Sequence, residues 1–327
     1  MKNMNDLIKE ISIKEMEGVS IGHAQDEIAK TGVSVIYFKN GAQAGCDISG
    51  GGPASRETPL TDPMTADNPL NAVVLSGGSA FGLAASDGVM KFLEEHGIGY
   101  HTGYALVPLV CQSCIFDLGY GKSNIRPDAA LGYEACKNAF ECCDDSMGNV
   151  GAGTGASVGK LMGMKQAQKA GLGIHAIQVG ELQIAAVVVV NAFGDIFNPE
   201  NGQKIAGLMD QTRSTFLDLE QMFLQFMSAP KDLFNSNTTI GCVITNAKFE
   251  KAKLNKIAAM TRNAYARCIN PVGTMADGDS IYACSVGEVV SDVNLVGTLS
   301  AKVMQKAILK ALEAAKVPDE EYLSHCL

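Results

Sequence analysis

The chain has 327 residues, enough for one large or two ordinary domains. Hydrophobic residues make up 46% and charged residues 19%, which leaves material for a sizeable core and excludes bulk disorder. A net charge of −9, with no block rich in Lys or Arg, argues against nucleic acid and anionic membrane surfaces as partners.

In chain order, "MKNMNDLIKEISIKEMEG" mixes acids and lysines without an apolar segment, so no secretory signal is expected. "GVSVIYFKN" (32–40) alternates and predicts a strand. "GCDISGGGPASRET" (45–58) predicts a glycine-rich polar loop. "NAVVLSGGSAFGLAASDGVMKFLEEHG" predicts a strand over Ala72–Ser76, a glycine turn and a helix. Leu83, Val89, Met90 and Leu93 share one face of that helix, and Gly97 suits its C′ position. The pattern is not a nucleophile elbow, because with Ser79 as nucleophile the second glycine falls on Phe81. The turn serves equally as a ligand wall, through free N–H groups at the helix start, or as a plain turn.

"GNVGAGTGASVGKLMG" (148–163) is a second glycine-dense loop. It fails the P-loop pattern at Thr154 and Leu161, and the dinucleotide pattern at Ala156. What it leaves is Lys160, emerging from backbone that can pack closely against a ligand. "LQIAAVVVVN" predicts a buried strand ending at Asn191, and its apolar run is far too short to span a bilayer. Asn191 either satisfies local backbone or supplies an amide N–H to an oxyanion hole. "LMDQTRSTFLDLEQMFLQF" (208–226) has helical periodicity, and "APKDLFNSN" (229–237) predicts an exposed polar connection. A strand over Thr239–Thr245 and a helix over Leu254–Cys268, stopped by Pro271, follow. "MADGDSI" places Asp277 and Asp279 around Gly278, either as a turn before the strand "SIYACSVG" or as two carboxylates that orient a nucleophile. "LVGTLSAKVMQKAILKALEAAK" predicts a C-terminal helix. Strands and helices alternate irregularly, which favours an α/β layered domain.

The ten cysteines are diluted over a long chain and read as reduced core thiols of a cytoplasmic protein. Cys111 and Cys114 have C-x-x-C spacing, but no second pair completes a zinc site: Cys142 and Cys143 are adjacent, and the five histidines are scattered. A structural or pocket-lining role fits them better than metal or redox chemistry.

"NTT" (Asn237–Thr239) opens three possibilities. As N-x-[ST] it is a glycosylation acceptor, which the lack of a secretory signal disfavours. It also suits an Asn-rich turn. In the third, Thr238 Oγ attacks the carbonyl of Asn237, an N→O acyl shift gives an ester, and water splits it. Thr238 then becomes an N-terminus whose amine, with a reference pKa of about 7.7–8.0, can serve as base for its own hydroxyl. That chemistry needs no histidine.

Over nearly its whole length the chain resembles the self-processing aminopeptidases that include L-aminopeptidase/D-esterases, β-peptidyl aminopeptidases and nylon-oligomer hydrolases. The matching segments are "GVSIGHAQ", "GGGPASRETPLTDP", "NAVVLSGGSAFGLAASDGVMKFLEE", "RPDAALGYEAC", "GNVGAGTGASVGK", "VVNAFGDIFNP", "NTTIGCVITNAKF" and "INPVGTMADGDSIYA". The resemblance implies a single four-layer αββα sandwich of the ornithine acetyltransferase type. It implies a cut between Asn237 and Thr238, giving an α chain 1–237 and a β chain 238–327. Thr238 would be the nucleophile and Lys160 would support its amine and hydroxyl. Asn191 would hold the oxyanion, and Asp277 and Asp279 would orient the nucleophile. The substrate would be a short peptide or amide, the cut αβ units would form a homo-oligomer, and neither metal nor cofactor is implied. Two departures stand out. The nucleophile is Thr where several members carry Ser, and Cys111, Gln112 and Cys114 replace small apolar residues in a segment expected to line the pocket. The alternatives are an acyltransferase on the same nucleophile and an uncut binding protein without chemistry.

Overall fold

A computed structural model of the chain describes residues 8–225 and 237–327. Its first half contributes β1 (Ile8–Ile11), β2 (Val19–Asp26), β3 (Thr31–Ile48), β4 (Ala54–Arg56), β5 (Leu70–Ser76), α1 (Ala85–Glu95), β6 (Val110–Cys114) and α2 (Ala129–Glu141). Then come β7 (Leu172–Val179), β8 (Leu182–Asn191), α3 (Leu219–Gln225), β9 (Thr238–Ala247), α4 (Lys251–Thr261), α5 (Asn263–Cys268), β10 (Ser280–Val289), α6 (Val293–Ala314) and α7 (Asp319–His325).

One sheet runs β1-β7-β8-β9-β10-β3 and the other β2-β3-β5-β6-β4. The long strand β3 is shared. Thr31–Phe38 pairs with β2, whereas Gln43–Ile48 pairs with β10. Gly41 lies between the two halves with φ of 76°, and a Cβ there would sit 2.8 Å from Pro69 Cβ. Only glycine adopts that conformation at no steric cost, so the strand can leave one sheet and enter the other.

Side-chain alternation builds the layers. In β8, Ile184, Ala186, Val188 and Val190 pack with Leu254 of α4, Tyr265 of α5 and Met304 of α6. Ala185, Val187 and Val189 of the same strand join Phe38, Leu75 and Tyr282 between the sheets. Val33, Val35 and Val74 pack outward on Val89 and Phe92 of α1 and on Ala135 and Ala139 of α2. Three cores separated by two sheets make four layers, helix–sheet–sheet–helix. Each fully buried Val or Ile contributes about 1.5–3 kcal/mol, which is why β8 reads as an unbroken apolar run. No helix among the described residues is long and apolar enough to cross a membrane.

Several boundaries differ from the sequence expectation. The strand expected at 32–40 continues to Ile48, because the two sheets share it. The helix expected over 208–226 is helical within the described residues only at Leu219–Gln225. Upstream, Asp210 accepts from the Ser214 N–H and the Thr212 hydroxyl, and Arg213 has φ of 57°. These local side-chain bonds favour a turn over a helix. The helix expected over Leu254–Cys268 is two, α4 and α5, meeting at Arg262. The polar connection before Thr238 lies outside the described residues except for Asn237, which is buried rather than exposed.

Candidate active site

Thr238 opens β9 and stands opposite Asn191, the last residue of β8. Ile240, Cys242 and Ile244 face the seam between the sheets, whereas Val243 and Ala247 face the helices. Because side chains alternate, Thr238 falls on the seam side and Thr239 on the helix side. Thr239 is fully buried, and its hydroxyl has no partner among the described residues. Parity thus separates two threonines that look equivalent in the sequence.

The Thr238 hydroxyl donates to the carbonyl oxygen of Asn237. That same oxygen accepts the Gly278 N–H at 3.0 Å. A nucleophilic oxygen and a backbone donor therefore converge on one peptide carbonyl. Gly278 must be glycine here: a Cβ would lie 2.8 Å from Thr238 Oγ1 and 2.8 Å from Gly52 O. Sequence reasoning treated Gly278 only as the spacer between two acids, because a backbone donor leaves no side-chain signature.

Lys160 is buried, and its ammonium donates to Asn191 Oδ1 at 2.8 Å and to Asn191 O at 3.0 Å. Burial lowers its pKa to about 7, although Asp277, Asp117 and Asp279 pull the other way. The Asn191 amide is held on both sides. Its Oδ1 also accepts the Ser157 N–H at 3.1 Å, and its Nδ2 donates to Phe116 O at 2.9 Å. The structure brings Lys160 and Asn191 to the strand beside Thr238.

Asp277 and Asp279 flank Gly278 with their carboxylates committed locally. Asp277 accepts the Thr274 N–H at 2.9 Å and the Thr274 hydroxyl at 2.7 Å. Asp279 accepts the Thr239 N–H at 2.6 Å and the Gly273 N–H at 3.0 Å. Burial and the neighbouring Asp277 raise the Asp279 pKa to about 7. In this chain the pair fixes the 273–279 loop, and so the Gly278 N–H, rather than touching the Thr238 hydroxyl. The glycine-rich loop expected at 45–58 supports it from behind: the Gly52 N–H donates to Asp277 O at 2.9 Å and the Ser49 N–H to Asp279 O at 3.0 Å.

A cavity of about 180 Å³ opens beside Thr238 and Asn237, walled by Gly52, Ala54, Ser79, Cys114, Phe116 and Met275. Ser79 places the "SGGSAFG" turn on this wall with φ of 53°, an uncommon conformation for a residue with a side chain. Of the C-x-x-C pair, Cys114 reaches the cavity, whereas Cys111 is buried in the core between the sheets. All ten cysteines are free thiols. Asp117, which sequence reasoning passed over, accepts the Thr31 hydroxyl at 2.6 Å and the Gly78 N–H at 2.7 Å, pinning the turn that carries Ser79. A lone acid in the apolar stretch "CIFDLG" was its one sequence signal.

The profile of peptidase family S58 matches residues 12–320. The chain belongs to this family. An uncharacterized aminopeptidase of Mycobacterium leprae is 34% identical, covering 93% of this chain and 91% of that protein. A 6-aminohexanoate-oligomer endohydrolase of Agromyces sp. is 30% identical, covering 91% of this chain and 84% of that protein. The solved structure of an L-aminopeptidase D-Ala-esterase/amidase from Ochrobactrum anthropi, described as a variant among the Ntn hydrolase fold, aligns over 94% of this chain and 88% of that one. Its TM-score is 0.68 at 17% identity, a likeness of fold. This S58 member is a hydrolase of peptide or amide bonds with the αββα architecture expected from its sequence.

Proposed function

We propose that the chain cuts itself between Asn237 and Thr238 and then acts as an N-terminal-threonine hydrolase on short peptides or amides. The observation that carries this is the Asn237 carbonyl, met at once by the Thr238 hydroxyl and the Gly278 N–H. In self-cleavage the Thr238 nitrogen is still an amide and cannot serve as base. Neutral Lys160, whose pKa is about 7, takes the hydroxyl proton. Oγ1 bonds to the Asn237 carbonyl carbon, and the oxyanion is held by the Gly278 N–H. The C–N bond then breaks as the proton passes to the departing nitrogen, leaving an ester. Water hydrolyses the ester to give chains 1–237 and 238–327, two parts of one αββα domain.

The new Thr238 amine then activates its own hydroxyl against substrate. The acyl group moves to Oγ1, the amine product leaves with the proton, and water releases the acid. Lys160 and Asn191 support the amine and the oxyanion, and Asp277 and Asp279 hold the loop that presents Gly278. The names of the relatives favour hydrolysis over acyl transfer. Ten free thiols are in keeping with a cytoplasmic site of action, and exposed Phe223, Leu224 and Met275 near the site support a homo-oligomer of cut units. The test is hydrolysis of aminoacyl anilides and aminohexanoate oligomers by wild type, Thr238→Ala and Thr239→Ala. Activity lost only in Thr238→Ala is expected; activity that survives in it places the nucleophile elsewhere.

A further inference from the structure

The cavity beside Thr238 holds a second piece of information, because the chain is its own first substrate. Asn237 and Thr238 both line it. The Asn237 side-chain Oδ1 is buried with no partner among the described residues. One nucleophilic oxygen and one backbone donor serve the site, and any later substrate must set its carbonyl where the Asn237 carbonyl now stands. Its acyl residue then lies where Asn237 lies.

Resting on the hydrolase reading above, we infer that this cavity is the acyl subsite of the cut enzyme and takes acyl residues with short, uncharged side chains. Among the described residues its walls offer no charge. Gly52 and Ala54 are small, Ser79 offers a hydroxyl and Phe116 a ring. The Cys114 thiol, 3.1 Å from Ser76 Oγ, is kept protonated by burial, which pushes its pKa up to about 12. Three ionisable side chains of the site are engaged: Asp277 and Asp279 hold the 273–279 loop, and Lys160 holds Asn191. A charged acyl side chain would enter without a counter-charge and lose its water. At about 180 Å³ the cavity is smaller than the about 300–1,000 Å³ of a pocket for a drug-sized ligand, which suits short side chains.

Ala54 is the place to test this. It is half-buried, lies on the edge strand β4 opposite Cys114 and takes no part in the bonds around Thr238. The kcat/KM values for alanyl, glutaminyl, lysyl and glutamyl p-nitroanilides would be measured on wild type, Ala54→Asp and Ala54→Asn, with Met275→Glu as a second charged variant should Ala54→Asp fail to fold. Wild type should favour alanyl and glutaminyl over lysyl and glutamyl anilides by at least tenfold. The new carboxylate should raise the lysyl-to-alanyl ratio at least tenfold, while Ala54→Asn leaves the order unchanged. Wild-type preference for a charged side chain, or a ratio unmoved by the carboxylate, overturns the subsite while leaving the hydrolase standing. If no anilide is cleaved and no acyl group appears on Thr238, the hydrolase reading fails and the subsite with it.

Discussion

Replacing Lys160 by arginine keeps a positive charge beside Asn191 but removes the only proton acceptor that the proposed self-cleavage step uses. The size of the effect follows from the burial of this lysine. Its fall from 10.5 to about 7 corresponds to about 5 kcal/mol disfavouring the ammonium. With that pKa about 1% of the chains carry a neutral Lys160 at pH 5, about 50% at pH 7 and about 90% at pH 8. The base must be unprotonated, so the cleavage rate should climb about fiftyfold from pH 5 to pH 7 and level off above pH 8. Arginine stays protonated throughout, so Lys160→Arg should stall at every pH. The assay is the fraction of cut chain against time, by denaturing mass spectrometry, for protein purified uncut and shifted to each pH. Asp279, also near 7, would give the same rising profile if its ionisation set the rate. The variants separate the two, because Lys160→Arg would then cut normally and Asp279→Asn would lose the pH dependence. A rate flat from pH 5 to 8, or wild-type cutting by a folded Lys160→Arg, refutes the assignment of the base.

The Gly278 N–H can be removed alone by replacing residue 278 with glycolic acid, so that an ester oxygen stands where the N–H was. Self-cleavage should slow by about 10²–10³-fold, and an unchanged rate would show that the 3.0 Å bond to Asn237 is not an oxyanion contact. Gly278→Ala keeps the N–H but sets a Cβ 2.8 Å from Thr238 Oγ1, so it should also slow cutting, by displacing the nucleophile. Lys169 braces the glycine loop through Gly153 O at 3.0 Å and Ala156 O at 2.9 Å, and burial lowers its pKa to about 7. Between pH 7 and its unfolded value the unfolded chain holds more protons there, so Lys169 makes stability rise with pH. Urea unfolding at pH 7, 8 and 9 should show Lys169→Met losing about 1 kcal/mol per pH unit of that rise, whereas parallel curves would contradict the buried assignment.

Much of the fold was legible because its signals are local. The run Ile184–Val190 reads as a strand buried on both faces and is one. Gly97 marks the end of α1 because its φ of 73° suits glycine. The failures were non-local or energetic. Nothing within 32–48 says that β3 changes sheets; that follows from pairing with β10, more than two hundred residues away in the chain. The stretch 208–218 carries apolar residues at helical spacing, but Asp210 gathers the neighbouring donors into a turn instead. At the site, Thr238, Lys160 and Asn191 are side chains whose types suggest chemistry; Thr238 and Asn191 stand on adjacent strands, and Lys160 reaches Asn191 from a single 3-10 turn. Asp277 and Asp279 looked like orienting groups for the nucleophile, yet their carboxylates hold the loop that carries Gly278. The resemblance names Thr238 rather than Thr239, and the register of β9 adds the opposite faces on which the two lie; Cys114 reaches the cavity only because β6 lies between β5 and β4.

Denaturing mass spectrometry of the purified wild type and Thr238→Ala proteins, after long incubation at neutral pH, tests the central claim most directly. Wild type should resolve into chains 1–237 and 238–327, with threonine as the new N-terminus, and Thr238→Ala should stay whole. A wild-type chain that stays intact, or a Thr238→Ala chain cut at the same bond, would contradict the account.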